Sequence, residues 1–408
     1  MELDPMSKTV ESCNRAGRSS GIDHLRSFIT VLVLAFHAAL AYPTFGFFDP
    51  ANYLLGSSAP VIDGARWVGF DFFILLTNIF FMALMFFISG LFILPSLRRK
   101  GPKVFLLDRL KRLGIPYVFS LLVISPLAYY PSYRLSVTNN SFLSFIDDLF
   151  WIGPWPVGPA WFIAMLLVFN FLVVPIHWFF GVEKTRGMNE PEDRKPIVEK
   201  TFVFFVILFV LGAVAYLPML YFFAPSYWLT FGPFVFQVSR CVLYFFYFGL
   251  GVVLGSRGFE TTVSGFGQRA GRGWILWGGV SVVALMWQLA AMNGLYAHYT
   301  FPERWEHPQG WVNYGISFVF ASAALSVFNL SLFHRFVIPQ SRLVDSLCKN
   351  AYGIYLVHYP FIIWTQFILL DLPLDAAAKG AIVFVLALLG SWGLVAFLRR
   401  FEVIGKVI

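Results

Sequence analysis

What most constrains this chain is a succession of apolar runs, each about 20 residues long and so able to cross the hydrocarbon core of a bilayer as a helix. They lie near Ser27 to Phe48, Phe70 to Leu94, Ile115 to Tyr130, Ala160 to Phe180, Thr201 to Phe223, Phe234 to Leu254, Trp274 to Met292, Trp311 to Phe333, Ala351 to Leu370 and Ala376 to Phe397. A backbone surrounded by lipid must satisfy its own hydrogen bonds, so the runs predict helices. The fold class expected is therefore an all-α polytopic membrane protein of about ten transmembrane helices, with both termini cytoplasmic because the number is even. A composition of 58% hydrophobic and 13% charged residues over 408 positions agrees, being far more apolar than a soluble domain.

Orientation follows from the basic residues. With the N-terminus in the cytoplasm, Lys and Arg gather in the inner loops; Arg66, Arg134 and Arg304 fall outside, Lys379 at an outer boundary and Arg240 within a span. The cluster Arg98, Arg99, Lys100, Lys103, Arg109, Lys111 and Arg112 anchors the inner side. This sorting accounts for a net charge of +8 through membrane lipids as partners, and no nucleic acid is expected. Cys13, Cys241 and Cys348 are scattered without metal or disulfide spacing, so no metal is expected either. We expect a cytoplasmic tail over residues 1–24, one transmembrane domain over 25–397 with a charged cytoplasmic loop at 181–200, and a cytoplasmic tail over 398–408. No cleavable signal peptide and no internal repeat is evident. Outside, Asp147 and Asp148 adjoin the aromatic stretch Trp151 to Trp161, read as an interfacial belt with acceptor contact as the alternative.

Ionisable groups inside a membrane are costly and mark functional candidates. Arg26 and His37 are eleven residues apart on the first span, close to three helical turns, so they share a face about 16 Å apart along the axis. A cation at the rim then stands below an imidazole in the bilayer interior. Desolvation favours the neutral ring there, and a neutral ring can take the proton of an attacking hydroxyl; the alternative is a His bonded to a neighbouring helix. Arg109 and Arg112, three residues apart at the inner entry of the third span, can point into the same mouth and offer two guanidinium forks to phosphate oxygens. Arg240 must find a partner or water, as a structural ion pair or as a ligand-binding group. Asp71 could orient a base or stand solvated near the outer boundary. His358 reads as a packing His or an acceptor contact, His177 as interfacial, and His24, His298, His307 and His334 as solvated in loops or near termini.

Several motifs then fall into order. Ile22-Asp23-His24-Leu25-Arg26 followed by His37 resembles the arginine, ten residues, histidine motif of the acyltransferase 3 family. Met82 to Gly90, MALMFFISG, resembles its apolar segment ending in Ser-Gly, with Ala83 where proline is frequent. Arg109 to Tyr117, RLKRLGIPY, resembles its RxxR motif, and Tyr352 to Pro360, YGIYLVHYP, its late tyrosine, leucine and histidine motif; Trp161-Phe162 fits the aromatic start of a middle helix. The resemblance covers nearly the whole chain. It implies transfer of an acyl group, of the acetyl or succinyl class, from cytoplasmic acyl-CoA to a hydroxyl on an extracytoplasmic acceptor such as an envelope carbohydrate, in a bacterial cytoplasmic (inner) membrane. It also implies His37 as catalytic base, Arg26 as its essential motif partner, and Arg109 with Arg112 at the donor. Some relatives carry an extracytoplasmic esterase-like domain; this chain reads as a single module. The rival reading is a proton-coupled secondary transporter of an anionic or acylated metabolite, which repeats and broken helices at the midplane would favour.

Overall fold

The computed structural model describes residues 20–137, 141–151, 155–179, 201–256, 273–296, 308–336 and 341–405. The expected 181–200 loop, Arg304, His298 and His307 lie outside them. The chain is a bundle of long helices: α1 (Ser20–Ala39), α2 (Val68–Leu91), continued after Phe92 by α3 (Ile93–Lys100), then a third span built from α4 (Pro102–Arg109), α5 (Ile115–Phe119) and α6 (Ser125–Ser136). A short α7 (Phe142–Trp151) precedes α8 (Trp161–Phe179) and α9 (Thr201–Phe222). A two-stranded hairpin, β1 (Trp228–Phe231) and β2 (Phe234–Gln237), leads into α10 (Val238–Gly255). The rest is α11 (Trp274–Tyr296), α12 (Pro308–Arg335), α13 (Arg342–Leu369), α14 (Ala376–Leu398) and a terminal turn, α15 (Glu402–Gly405).

Among the described residues, nine helices are long and apolar enough to cross a membrane. The chain is thus an all-α, multi-pass integral membrane protein. The remaining long helix, α13, falls short of that apolarity for a physical reason: it runs through the protein interior, with Asn350, His358 and Gln366 all buried. Its neighbours in the bundle are α1, α14 and the third span.

Three expected spans have different limits. The first helix stops at Ala39, well short of Phe48, because Tyr42 precedes Pro43 and a residue before proline avoids the helical region. The chain from 40 to 67 instead folds over that end of the bundle. Residues 234–237 are a strand, not the start of a helix: Gly232 takes a positive φ of 56° in the turn before Pro233, and Trp228 pairs with Gln237 across the hairpin. Tyr117 pins the hairpin by donating its hydroxyl hydrogen bond to the Pro233 carbonyl.

The third span, expected from Ile115, begins at Pro102 and is interrupted by π-helical turns at Leu110–Gly114 and Ser120–Ile124. Prolines follow each π turn, Pro116 and Pro126, and Pro131 sits inside α6. A helical proline brings no N–H and so frees a carbonyl one turn earlier. Donors from outside the helix reach these sites: Tyr352 Oη to the Arg112 carbonyl at 2.7 Å, Trp155 Nε1 to Leu121 at 2.8 Å and Trp364 Nε1 to Leu127 at 2.9 Å. Tyr352 and Trp364 belong to α13, so proline content converts directly into attachment between these two elements.

Elsewhere the bundle closes by small residues and, among the described residues, by a buried ion pair. Gly251 and Gly255 on α10 lie so close to α2 that an added Cβ would fall on the carbonyls of Phe87 and Leu91. This is the close helix approach that small residues four apart permit in membranes. Lys379, expected at an outer boundary, is in the first turn of α14 and buried there: its Nζ lies 2.7 Å from Asp63 Oδ2 and donates to the Leu370 carbonyl at 2.9 Å. That pair ties α14 to the 40–67 segment.

Candidate active site

His37 lies in the last turn of α1, against α13. Its ring centroid is 5.2 Å from that of His358 and 5.4 Å from Tyr359, which meets it edge-on. The helix end is secured by Gln366, whose Nε2 donates to the carbonyls of His37 at 3.1 Å and Ala38 at 3.2 Å, groups that a helix terminus leaves without intrahelical partners. The ring is therefore turned into the protein and not towards lipid.

The hydrogen bonds assign the tautomers. His37 Nδ1 is 2.9 Å from the Val33 carbonyl and His358 Nδ1 is 2.6 Å from the Tyr355 carbonyl. A carbonyl oxygen only accepts, so each Nδ1 carries the hydrogen and each neutral ring keeps its lone pair on Nε2. His358 Nε2 is 3.4 Å from His37 Nδ1, so its lone pair shares the His37 N–H with Val33. The arrangement leaves His37 Nε2 as an unprotonated acceptor, with two acceptors behind the ring to hold an imidazolium once a proton arrives.

A crevice reaches His358 from the side of the third span, lined by Ser120, Ser125, Ala160, Ile163, Tyr355 and His358. Its wall is the tight turn at 157–160, where Gly158 takes a φ of 52° and an added Cβ would strike the Tyr359 ring. Tyr355 donates its hydroxyl hydrogen bond to the Pro159 carbonyl and Ser125 Oγ donates to Val157 at 3.4 Å. Part of the aromatic and proline stretch expected as an interfacial belt is thus a wall of the site.

At the other end of α1, Arg26 Nη2 is 3.4 Å from Asp23. Cys348 Sγ contacts the Asp23 carbonyl at 3.7 Å, and Tyr352, one turn later on α13, holds the Arg112 carbonyl. One turn of α13 therefore sits between the Arg26 region and the RxxR segment. Within that segment the two arginines differ. Arg112 is exposed and its Nε pairs with Asp108 at 3.4 Å, where Lys100 also binds at 2.8 Å. Arg109 stands 4.9 Å over the Phe105 ring with its Nε buried and unpartnered; the Asp108 carboxylate attracts its guanidinium and Arg112 repels it more weakly. A phosphate would partner that Nε and offset that repulsion.

The other candidates separate. Asp71 accepts from Thr44, from its backbone N–H at 2.7 Å and from its hydroxyl, and so fastens the 40–67 segment; no bond joins it to His37. Arg240 is buried against Asn78 and Phe318, and among the described residues no carboxylate pairs with it. His24, expected to be solvated, is 6% exposed in α1 because the helix begins at Ser20. Gln366 was not singled out from sequence, Tyr352 was named only as the start of the YGIYLVHYP motif, and His358 was read as packing or acceptor contact. The signal was there in α13: a span-length helix with a polar residue at 350, 358 and 366 is too costly in lipid unless those groups face partners inside.

A family model described as an acyltransferase domain, the acyltransferase 3 model, matches residues 19–396. No curated relative and no solved structure matches the chain. The matched region takes in α1 through α14 and every residue of the histidine pair and the basic end. The chain belongs to the acyltransferase 3 family and is a membrane acyltransferase.

Proposed function

We propose that the protein moves an acyl group from cytoplasmic acyl-CoA to a hydroxyl of an extracytoplasmic acceptor, a carbohydrate of the bacterial envelope, with His37 as the general base in the inner membrane. The observation that carries the reading is the Nδ1 contact of His37 with Val33, which leaves the Nε2 lone pair for the substrate. Arg109 and Arg112 hold donor phosphates at the cytoplasmic mouth, with Arg26 beside them. Arg26 and His37 are about 16 Å apart along α1, a span suited to the extended arm between the phosphates and the thioester of the donor.

The acceptor O–H gives its proton to His37 Nε2 as its oxygen attacks the thioester carbon. The C–O bond forms, the C–S bond breaks, and the proton on His37 passes to the departing sulfur. His358 Nε2 and the Val33 carbonyl stabilise the imidazolium between these steps, the part a carboxylate plays behind a catalytic histidine elsewhere. His358 is thus a positioning residue.

The test is transfer from radiolabelled acyl-CoA by the purified chain, with mass spectrometry of envelope glycans from a deletion strain to find the missing acyl mass. His37→Asn should fold and abolish transfer. Full transfer by that variant overturns the assigned base, and movement of a metabolite without covalent change overturns the enzyme reading in favour of a transporter.

A further inference from the structure

Arg240 is buried inside the bundle, 5% exposed, near the start of α10. Its Nη1 donates at 2.9 Å to both the backbone and the side-chain oxygen of Asn78, and its guanidinium lies 4.7 Å over Phe318. Tyr216, Tyr244 and Tyr314 act on it as well; among the described residues no Asp or Glu does. Its Nε is buried without a partner. Lys379, equally buried, has Asp63. Among the described residues this guanidinium is held by neutral oxygens and a ring face, and a buried charge without an opposite one is costly.

Its level in the bundle matters. Asn78 is ten residues from the Val68 end of α2, about 15 Å, and His358 is eleven residues from the Leu369 end of α13, about 16 Å. The Asp63–Lys379 pair joins the chain just before Val68 to the chain just after Leu369, so both distances run from the same face of the bundle. Arg240 and the histidine pair therefore stand at one depth. Aromatic rings connect them by two routes. Phe81, one turn after Asn78, lies 5.2 Å from Phe36, the neighbour of His37. Tyr244, one turn after Arg240, stacks with Trp161 at 6.0 Å, and Phe162 meets Tyr355 at 5.8 Å, one turn before His358.

We propose that Arg240, with the surrounding tyrosine hydroxyls, receives a carboxylate at the far end of the acyl chain, so that the transferred group is a dicarboxylic acid monoacyl and not acetyl. The inference rests on the acyl-CoA reading and names the class of donor. Guanidinium is a two-donor fork matched to a carboxylate, and tyrosine hydroxyls supply further donors. Tyr216 and Phe318 beside it are almost wholly enclosed, so a group that reaches the guanidinium has to displace side chains, and the end of a short acyl chain displaces fewer than a sugar or lipid headgroup does.

Initial rates of acyl transfer from succinyl-CoA and from acetyl-CoA by the full-length protein in native membranes test this directly, with bound CoA measured alongside. The wild type should prefer succinyl-CoA by about tenfold or more in kcat/KM, the scale of one charge-assisted hydrogen-bonded contact, and R240Q should collapse that ratio. R240K, which keeps the charge without the fork, should retain part of it, and together with the wild-type ratio it carries the test if R240Q does not fold. Equal use of both donors, or a ratio untouched in R240Q, overturns the carboxylate site and leaves the donor reading standing. An equal loss of binding for CoA and every thioester assigns Arg240 to the phosphates and likewise overturns it. Failure to use any CoA thioester overturns both.

Discussion

His358 Nε2 lies 3.4 Å from the His37 nitrogen that Val33 holds at 2.9 Å, so one N–H faces two acceptors. Removing His358 leaves the Val33 contact and the resting tautomer in place but takes away half of the support for the protonated ring. A hydrogen bond to a charged group is worth about 1.5–3 kcal/mol, so His358→Leu should lower kcat by roughly tenfold to a hundredfold. The KM for acyl-CoA should stay close to that of the wild type. Steady-state kinetics check the split; a KM effect with unchanged kcat would assign His358 to substrate binding.

Arg109 has a buried, unpartnered Nε, whereas Arg112 is exposed and paired with Asp108. Arg109→Gln should therefore weaken CoA binding by about tenfold or more, and Arg112→Gln by less, because an exposed ion pair is worth little. Competition binding of CoA against a labelled donor, measured at two salt concentrations, reads both effects. Equal losses would mean that the two side chains contribute alike to the site.

The Lys379–Asp63 pair is deeply buried, with side chains 2% and 3% exposed. Breaking such a pair from one side strands a charge, so Lys379→Met should destabilise the protein by about 3–5 kcal/mol. The double variant D63N/K379M, which strands none, should recover most of that loss. Thermal unfolding in detergent checks the order of the three proteins.

Trp364 donates to the Leu127 carbonyl that Pro131 leaves open. Trp364→Phe should cost about 0.5–1.5 kcal/mol through that hydrogen bond. In a P131A background, where an N–H is available one turn after Leu127, the same change should cost less. A double-mutant cycle on thermal stability measures the coupling, and additivity would show that the indole packs without serving that carbonyl.

The helical class was legible because span-length apolar runs leave a chain in lipid few alternatives. Arg26 and His37 were legible for a similar reason, since eleven residues in a helix determine a shared face. What sequence could not give was anything that depends on which helices meet. His358 looked like a packing residue because its partner is more than three hundred positions away in the chain. Asp71 looked able to orient a base because nothing local reveals Thr44 folding back onto it. Lys379 showed no partner because Asp63 is more than three hundred positions away, and Arg240 was ambiguous because nothing local reveals Asn78 and Phe318 around it. The Gly90 that ends the MALMFFISG motif has a packing role instead, since a Cβ there would fall on the Phe248 carbonyl of α10.

Tyr352 and Trp364 fasten α13 to the third span twelve residues apart, about 18 Å along the helix, and His358 lies midway between them. The crevice at His358 opens within that interval. Its frame is set by two bonds to proline-freed carbonyls, so its height is tied to the packing of α13 on the third span. The crevice therefore does not widen by a local slip of one helix: both bonds have to break together, or a lining side chain such as Ile163 has to be trimmed.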